Sequence, residues 1–370
     1  MPTHHPENER VKRQYVIFLR EAKRQSEDSV DAVAKAIARF EADTHHRDFK
    51  AFHFEQAVAF KRRLADRDSQ TTGEKLSKAT QYATLSHLKR FFQWLAVQPG
   101  YKSRLSYSDA EYFNLSEKDT RVATARRERP APTLEQIKHV IASMPASGEI
   151  EQRNRALLAF ALLTGARDSA LATIRLKHVD LAAGSVYQDA RDVKTKFSKS
   201  FTTYFFPVGA DVRQIVDDWV TRLRRDLLWG NEDPLFPATR IALGAAKHFE
   251  AVGIDRKPWA TASPIRATFK QAFQAAGLPY FNPHSFRSTL VQLAETLCKT
   301  PEQFKAWSQN LGHEGVLTTF YSYGTVAPRR QGEIIGDLSL PAVVAPSSTD
   351  ELAQAVVRAM QNGGLVVGQR

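Results

Sequence analysis

Through the first third of the chain apolar residues recur at helical spacing. Val11, Tyr15, Phe18 and Leu19 form one stripe, Val30, Val33, Ile37 and Phe40 a second, and Tyr82, Leu85, Leu88, Phe92 and Leu95 a third. Lys12, Arg13, Lys61, Arg62, Arg63, Lys75, Lys78, Lys89 and Arg90 fall opposite those faces. The pattern predicts a helical bundle over residues 1–116 with a basic exterior. The next stretch, 117–132, is polar and arginine-rich and closes on Pro130 and Pro132, which reads as an exposed linker.

A second pattern begins at Thr133, which with Gln136 forms a capping box ahead of Ile137, Val140 and Ile141. Arg155 to Thr164 is an apolar helix that stops at Gly165, and Arg167 emerges just past its end. Residues 184–188 and 201–206 are rich in β-branched and aromatic side chains and read as a strand pair, with a basic hairpin region, Val193 to Ser200, between them. Helices resume through Val212, Ile215, Trp219 and Leu223. Another starts with Ser263 as N-cap and Pro264 at N1, carries Phe269 and Phe273 inward and ends at Gly277. Past Leu340 the chain runs through Pro341 and Pro346 to a short helix with Leu352, Val356 and Met360. The expected fold class is mainly α with a small β-hairpin or sheet in the second domain, an α+β chain in two domains with a boundary near 130.

Charge adds a partner to this picture. The 370 residues carry 52 Lys and Arg against 40 Asp and Glu, a net +12, which favours a polyanion and nucleic acid first. No run approaches the roughly 18 apolar residues of a membrane span, and the first residues contain no apolar core of a secretory signal, so a cytoplasmic protein is expected. The single cysteine, Cys298, excludes an internal disulfide and a cysteine-based zinc cluster; the pairs His4-His5 and His45-His46 lack partners at metal-closing spacing. No metal site or cofactor is expected.

The chemistry-bearing residues follow one another in order. Thr164-Gly-Ala-Arg167 precedes the basic hairpin, then come Asn282-Pro-His-Ser-Phe-Arg287, Leu311-Gly-His313 and Thr318-Thr-Phe-Tyr-Ser-Tyr323. Two guanidiniums, two imidazoles and a tyrosine make a kit for phosphodiester chemistry without a metal. A phosphodiester under attack gathers negative charge on its non-bridging oxygens, which planar guanidiniums meet with paired hydrogen bonds. Arg167 and Arg287 are the candidates for that clamp. A tyrosine hydroxyl, with an ordinary pKa of about 10, needs a base or a positive field to attack, and His284 is placed to accept its proton.

The order Arg, hairpin Lys, His-x-x-Arg, Leu-Gly-His, Tyr resembles the tyrosine recombinases, the phage-integrase-like family, over about 133–340. The first 116 residues are similar to that family's helical, SAM-like core-binding domain. The resemblance implies a two-domain C-shaped clamp on double-stranded DNA, with a dimer on one site and a homo-tetramer on paired sites. It implies cleavage and rejoining through a 3′-phosphotyrosyl intermediate and a four-way (Holliday) junction, without ATP or metal, in a nucleoid-associated enzyme. A catalytically impaired DNA-binding regulator of the same fold and a topoisomerase IB-like relaxing enzyme are the alternatives.

Residue by residue, the resemblance assigns Arg167, Arg287 and His313 to the phosphate, and the hairpin lysine to the departing 5′-oxygen. Lys194, followed by Thr195, matches the Lys-Thr form of that motif, and Lys196 stands closer to the turn. The family's nucleophile stands nine residues after the second His, where this chain has Ser322, leaving Tyr323 and the alternate Tyr321 on either side. Two further departures stand out. Ala170 occupies the place of an acidic residue that orients the first arginine, leaving Asp168 as its substitute, and Ser288 follows Arg287 in place of His. A linker crossing a duplex would bring Arg121, Arg126, Arg127 and Arg129 to phosphates, and Arg266 and Lys270, four apart on one helix, share a face that can meet DNA. The tail, 341–370, either packs on its own chain or docks on a neighbouring protomer.

Overall fold

The computed structural model describes residues 4–69, 73–125, 130–195, 198–243 and 248–313. The chain divides into two compact units, Met1–Arg127 and Glu128–Arg370. Among the described residues no helix is long and apolar enough to cross a membrane.

The first unit is helical. Helix α1 (Pro6–Ile17) runs on into a π turn at Phe18–Ala22 and is followed by α2 (Glu27–Asp43), α3 (Phe54–Asp66), α4 (Lys78–Leu95), a 3-10 segment at Tyr107–Phe113 and α5 (Glu117–Thr124). The stripes bury as their spacing predicts, apart from half-buried Phe18 and from Tyr82, which faces out while Gln81 and Thr84 turn inward. Where they meet, Phe52 stacks on Phe92 at 3.8 Å and Phe40 meets Phe60 and Phe92 edge-on.

Helix α5 corrects the expected linker at 117–132. Ser116 accepts a hydrogen bond from the Asp119 N–H and so caps the helix, while the Asp119 carboxylate pairs with Lys78 on α4 at 3.1 Å. Arg121 therefore sits on a capped helix, with a loose ion pair to Glu117 at 3.5 Å. Arg126, Arg127 and Arg129 lie outside the described residues.

The basic exterior is also partly internal wiring. Lys61 donates to the carbonyls of Tyr112 and Asn114, and burial pushes its pKa down. Arg63 holds Asp43, and Lys12 holds the buried carboxylate of Glu41 at 2.6 Å. Fully buried Asn8 completes that knot: its amide donates to Glu41 and to the Arg47 carbonyl, and its carbonyl oxygen accepts from the Phe49 N–H.

The second unit is built around α7 (Glu149–Thr164), whose residues from Ala156 to Thr164 are all buried, as befits a helix apolar on every side. Helix α6 (Leu134–Ser143) precedes it, opened by the expected capping box of Thr133 and Gln136. The short α8 (Asp168–Leu171) follows, then β1 (Val179–Asp180), β2 (Ser185–Gln188) and β3 (Phe201–Tyr204) in one antiparallel sheet of that order, so the expected strand pair gains a third, edge strand. Helix α9 (Ala210–Thr221) ends in a π turn at Arg222–Asp226.

A second antiparallel pair, β4 (Pro237–Leu243) and β5 (Phe249–Pro258), was not expected from the sequence. Arg153 of α7 pins its base: the buried guanidinium donates to the Pro237 carbonyl and the Thr239 hydroxyl and lies over the Trp259 ring. Helices α10 (Ser263–Ala275), α11 (Pro283–Leu297) and α12 (Pro301–Asn310) complete the unit. Helix α10 takes Ala262 as its cap, so Ser263 is its first residue and not its N-cap. The fold is mainly α with small antiparallel sheets.

Asn8→Ala should lower the stability of the first unit by about 3 kcal/mol, because the Phe49 N–H and the Arg47 carbonyl would be left buried without partners. Exposed Arg62→Ala should change it by less than about 0.5 kcal/mol. Urea denaturation of the two variants checks the contrast; equal midpoints would show that the Asn8 knot does not hold the bundle.

Candidate active site

Helix α7 ends because Gly165 adopts the left-handed conformation, φ +59, that terminates helices at little cost only for glycine. Its position is also crowded: a Cβ there would lie 2.8 Å from Leu311 and 3.0 Å from Leu290. The chain therefore turns sharply, and Arg167 becomes the N-cap residue of α8 with extended backbone angles.

On α11, Asn282 caps the helix by accepting from the Ser285 N–H, and Pro283 opens its first turn. This sets His284, exposed, one turn ahead of Arg287, which is 4% exposed. The Arg287 guanidinium reaches across the unit. It donates to the Gly165 carbonyl at 2.5 Å and to the Leu311 carbonyl at 2.7 Å, and lies 2.9 Å from His313 Nε2. One buried cation thus joins the end of α7, the start of α11 and the Leu-Gly-His turn after α12.

That turn is fixed from its other side by β3. The Asn310 side chain accepts from the Tyr204 N–H and donates to the Tyr204 carbonyl, as a neighbouring strand would, and Thr203 donates to the Asn310 carbonyl. Gly312, φ +68, is needed both for its backbone angle and for space, since a Cβ there would fall 2.6 Å from the Phe201 ring. Asn310 and Thr203 were not singled out from sequence; their pairing spans more than a hundred residues and leaves no local signal.

Lys194 is brought in by its backbone. Its N–H donates to Thr173 Oγ1 at 2.9 Å and its carbonyl accepts from Ser169 Oγ at 3.1 Å, while its side chain is exposed. The loop before it is held by Asp189, whose carbonyl accepts from the Asp192 and Val193 N–H groups, and by the Asp192–Lys177 ion pair at 2.8 Å. Arg191 beside Asp189 holds that carboxylate low, at about 2. Arg167, Lys194, Arg287 and His313 are therefore linked through α8, Gly165 and the turn after α12, and His284 rides on the helix that carries Arg287. Lys196, Tyr321 and Tyr323 lie outside the described residues.

The two arginines differ in kind. Arg287 is hydrogen-bonded to three neighbouring groups. Arg167 has no hydrogen-bond or ion-pair partner among the described residues, and burial pushes its pKa down, the mark of a cation held partly out of water without its anion. The expectation that Asp168 orients Arg167 is corrected. Asp168 accepts from Arg266 of α10 at 2.7 Å and from the Ser169 N–H. As first residue of α8 it diverges from its extended neighbour Arg167. Arg266 is consequently an ion-paired residue, while exposed Lys270, one turn on, has no such partner among the described residues.

Comparison with known proteins bears on this arrangement. The phage integrase family model matches residues 133–329. A tyrosine recombinase XerC of Lactobacillus delbrueckii subsp. bulgaricus is 23% identical over 253 residues, covering 67% of this chain and 72% of that protein. A tyrosine recombinase XerC of Lactobacillus leichmannii is 24% identical over 256 residues, with the same shares covered. Among solved structures, a lambda integrase dimer bound to a COC′ core site superposes with a TM-score of 0.58 at 15% identity, over 85% of this chain and 94% of that one. The Tn1549 transposon integrase in complex with transposon right end DNA gives a TM-score of 0.57 at 14% identity, over 89% and 99%. At these identities the two structures testify to the fold.

Removing each arginine should separate the two roles. Arg287→Met leaves the Gly165 and Leu311 carbonyls buried and unpaired and should cost about 3–4 kcal/mol of stability. Arg167→Met should leave the melting temperature unchanged or raised, because it removes a desolvated, unpaired charge. Thermal melts of the two variants decide; a large loss for Arg167→Met would mean that its guanidinium has a structural partner.

Proposed function

Because the chain belongs to the phage integrase family, and is by that membership a site-specific recombinase of the tyrosine type, we propose that it cuts and rejoins duplex DNA through a 3′-phosphotyrosyl intermediate at the Arg167 site. The observation that carries the residue assignment is the half-buried guanidinium of Arg167, which has no hydrogen-bond or ion-pair partner among the described residues and opens the short segment that docks Lys194. A scissile phosphate supplies the anion this cation lacks. Arg287 and His313 lend further contacts to the phosphate, and Arg287 also holds His313 and the Gly165 turn in place.

The step then balances with the groups at hand. The Tyr323 oxygen attacks phosphorus, its proton passing to His284; the bond from phosphorus to the 5′-oxygen breaks, and Lys194 protonates the departing oxygen. Religation reverses the step when a 5′-hydroxyl, from the same or an exchanged strand, attacks the phosphotyrosine. The ester keeps the energy of the broken bond, so no nucleotide cofactor enters. Loss of one preorganised donor at such a site costs on the order of 3–4 kcal/mol in the transition state, so Arg167→Lys should slow cleavage by a few hundredfold.

The partners follow from the reaction: duplex DNA, two copies on one site and four on a paired synapse that passes through a Holliday junction. Exposed Arg121 and Lys270, with Arg126, Arg127 and Arg129, serve the DNA backbone, and Arg266 does so while tethered to Asp168. The nucleoid is where such an enzyme would work.

A nicked suicide duplex carrying the recombination site tests the proposal. A covalent protein–DNA band should form in chelator, vanish with Tyr323→Phe and persist with Tyr321→Phe; the reverse pattern would move the nucleophile to Tyr321. No band from the native protein would favour an inactive DNA-binding regulator, and relaxation of supercoiled DNA without exchange would favour a topoisomerase-like enzyme. A duplex with sulfur in place of the scissile 5′-oxygen needs no proton at departure, so it should restore cleavage to Lys194→Ala. Failure there, with rescue of Lys196→Ala, would transfer the acid to Lys196.

A further inference from the structure

The ribbon formed by β4 and β5 has one face that no described residue covers. Leu243 pairs with Phe249 and Ile241 with Ala251, and directly opposed residues of an antiparallel pair share a face, as do residues two apart on a strand. Ile241, Leu243, Phe249 and Ala251 therefore lie on one side, and the two largest are the most exposed, Leu243 at 64% and Phe249 at 80%. The opposite side carries Ala242 and Glu250. The skipped register beside Arg240 and Ile241 leaves Val252 as an extra, exposed residue at the point where the ribbon departs from its anchored base.

The base of the ribbon is anchored to the rest of the unit. Arg153 fixes Pro237 and Thr239, Ile254 is buried, and Arg256 is paired with Asp233 at 2.5 Å. A two-stranded ribbon is marginal by itself in water. Its apolar end is nonetheless held out by a buried anchor, which is the form of a contact element.

We infer that this face of the ribbon packs against a second copy of the chain when two protomers are held together on DNA. The inference rests on the recombinase reading, in which copies must meet on neighbouring sites. The chemistry of the face selects protein over nucleic acid. Binding a phosphate backbone calls for cations, and none stands among Ile241, Leu243, Phe249 and Ala251.

Size selects the circumstance. The exposed side chains present roughly 400 Å² per copy, counting an aromatic ring at about 200 Å² and the aliphatics at less. A stable dimer buries about 800 Å² on each partner. The face is too small to hold two free proteins together, and it becomes effective once DNA raises their local concentration to about the millimolar range. Weak contact off DNA and firm contact on it is what an assembly that must form and dissolve requires.

The test uses the full-length protein with p-benzoylphenylalanine placed at position 249. On a duplex carrying the paired site, illumination should give a product of twice the chain's mass, absent without DNA. A protein–DNA photoproduct in its place would assign the face to nucleic acid and overturn the inference, as would the absence of any photoproduct from protein that still forms the phosphotyrosyl band. Absence of that band as well would count against the recombinase reading on which the inference rests. As a second measure, Leu243→Ser with Phe249→Ser should leave cleavage of a single half-site unchanged and reduce the two-protomer complex by about 30-fold, the effect of losing a hot spot worth about 2 kcal/mol. Equal loss on half-sites would overturn the assignment.

Discussion

The buried guanidinium of Arg287 is the constraint on which the catalytic unit depends. A cation at 4% exposure is tolerated only when fully hydrogen-bonded, and its partners come from elements far apart in the chain: the Gly165 carbonyl, the Leu311 carbonyl and the His313 ring. Each of those carbonyls belongs to a chain reversal at a helix end, where backbone acceptors are left over by the helix itself. Arg287 satisfies two such ends at once and in doing so sets where Arg167 and His313 emerge. Gly165 and Gly312 are the corollary, since a side chain at Gly165 would strike Leu311 and Leu290 and one at Gly312 would strike the Phe201 ring of β3.

Around that fixed centre the functional cations are distributed with different degrees of freedom. Lys194 has an anchored backbone and an exposed side chain, an arrangement that positions a donor and leaves its ammonium mobile. Arg167 lies between Gly165 and α8, half-buried and with no ion-pair partner among the described residues. Arg266 lies between these cases, tied to Asp168 yet exposed. In the first unit many cations expected on the surface instead hold carboxylates and carbonyls, and the positive field left to the exterior is smaller than a count of lysines and arginines suggests. The same economy applies to apolar groups: the β4–β5 ribbon buries Pro237 and Ile254 at its base, and no described residue covers Leu243 and Phe249 at its far end.

Much of this was legible in the residues themselves. Helical periodicity located the buried stripes of α1, α2 and α4, the Thr133–Gln136 box located α6, and the ordered motifs named Arg287 and His313, which the fold brings together. Those signals are local, or depend on residue types that phosphoryl chemistry rarely does without. The readings that changed are those in which a distant partner decides. Tyr82 fits the apolar stripe by spacing but turns outward while Thr84 turns in to meet Arg39 of α2. The polar run after Ser116 becomes helix α5 because it caps itself and reaches Lys78. The β4–β5 pair was hidden because β5 contains glycine and charged residues and its pairing partner is not marked by a turn dipeptide.

The sequence by itself determined the reaction class and the set of groups available to it, because side-chain chemistry is a property of residue type and the order of motifs survives without coordinates. It also determined the helix boundaries that caps and glycines encode within a few residues. Only the tertiary structure decided which carboxylate serves which cation, that Arg287 joins the turns after α7 and α12 while Arg167 has no partner among the described residues, and that the β4–β5 ribbon has an apolar face no described residue covers. Each of those facts depends on what is brought within hydrogen-bond or van der Waals range by folding. Asp168 and Arg266 stand 98 residues apart in the chain and 2.7 Å apart in space, and no local rule joins them.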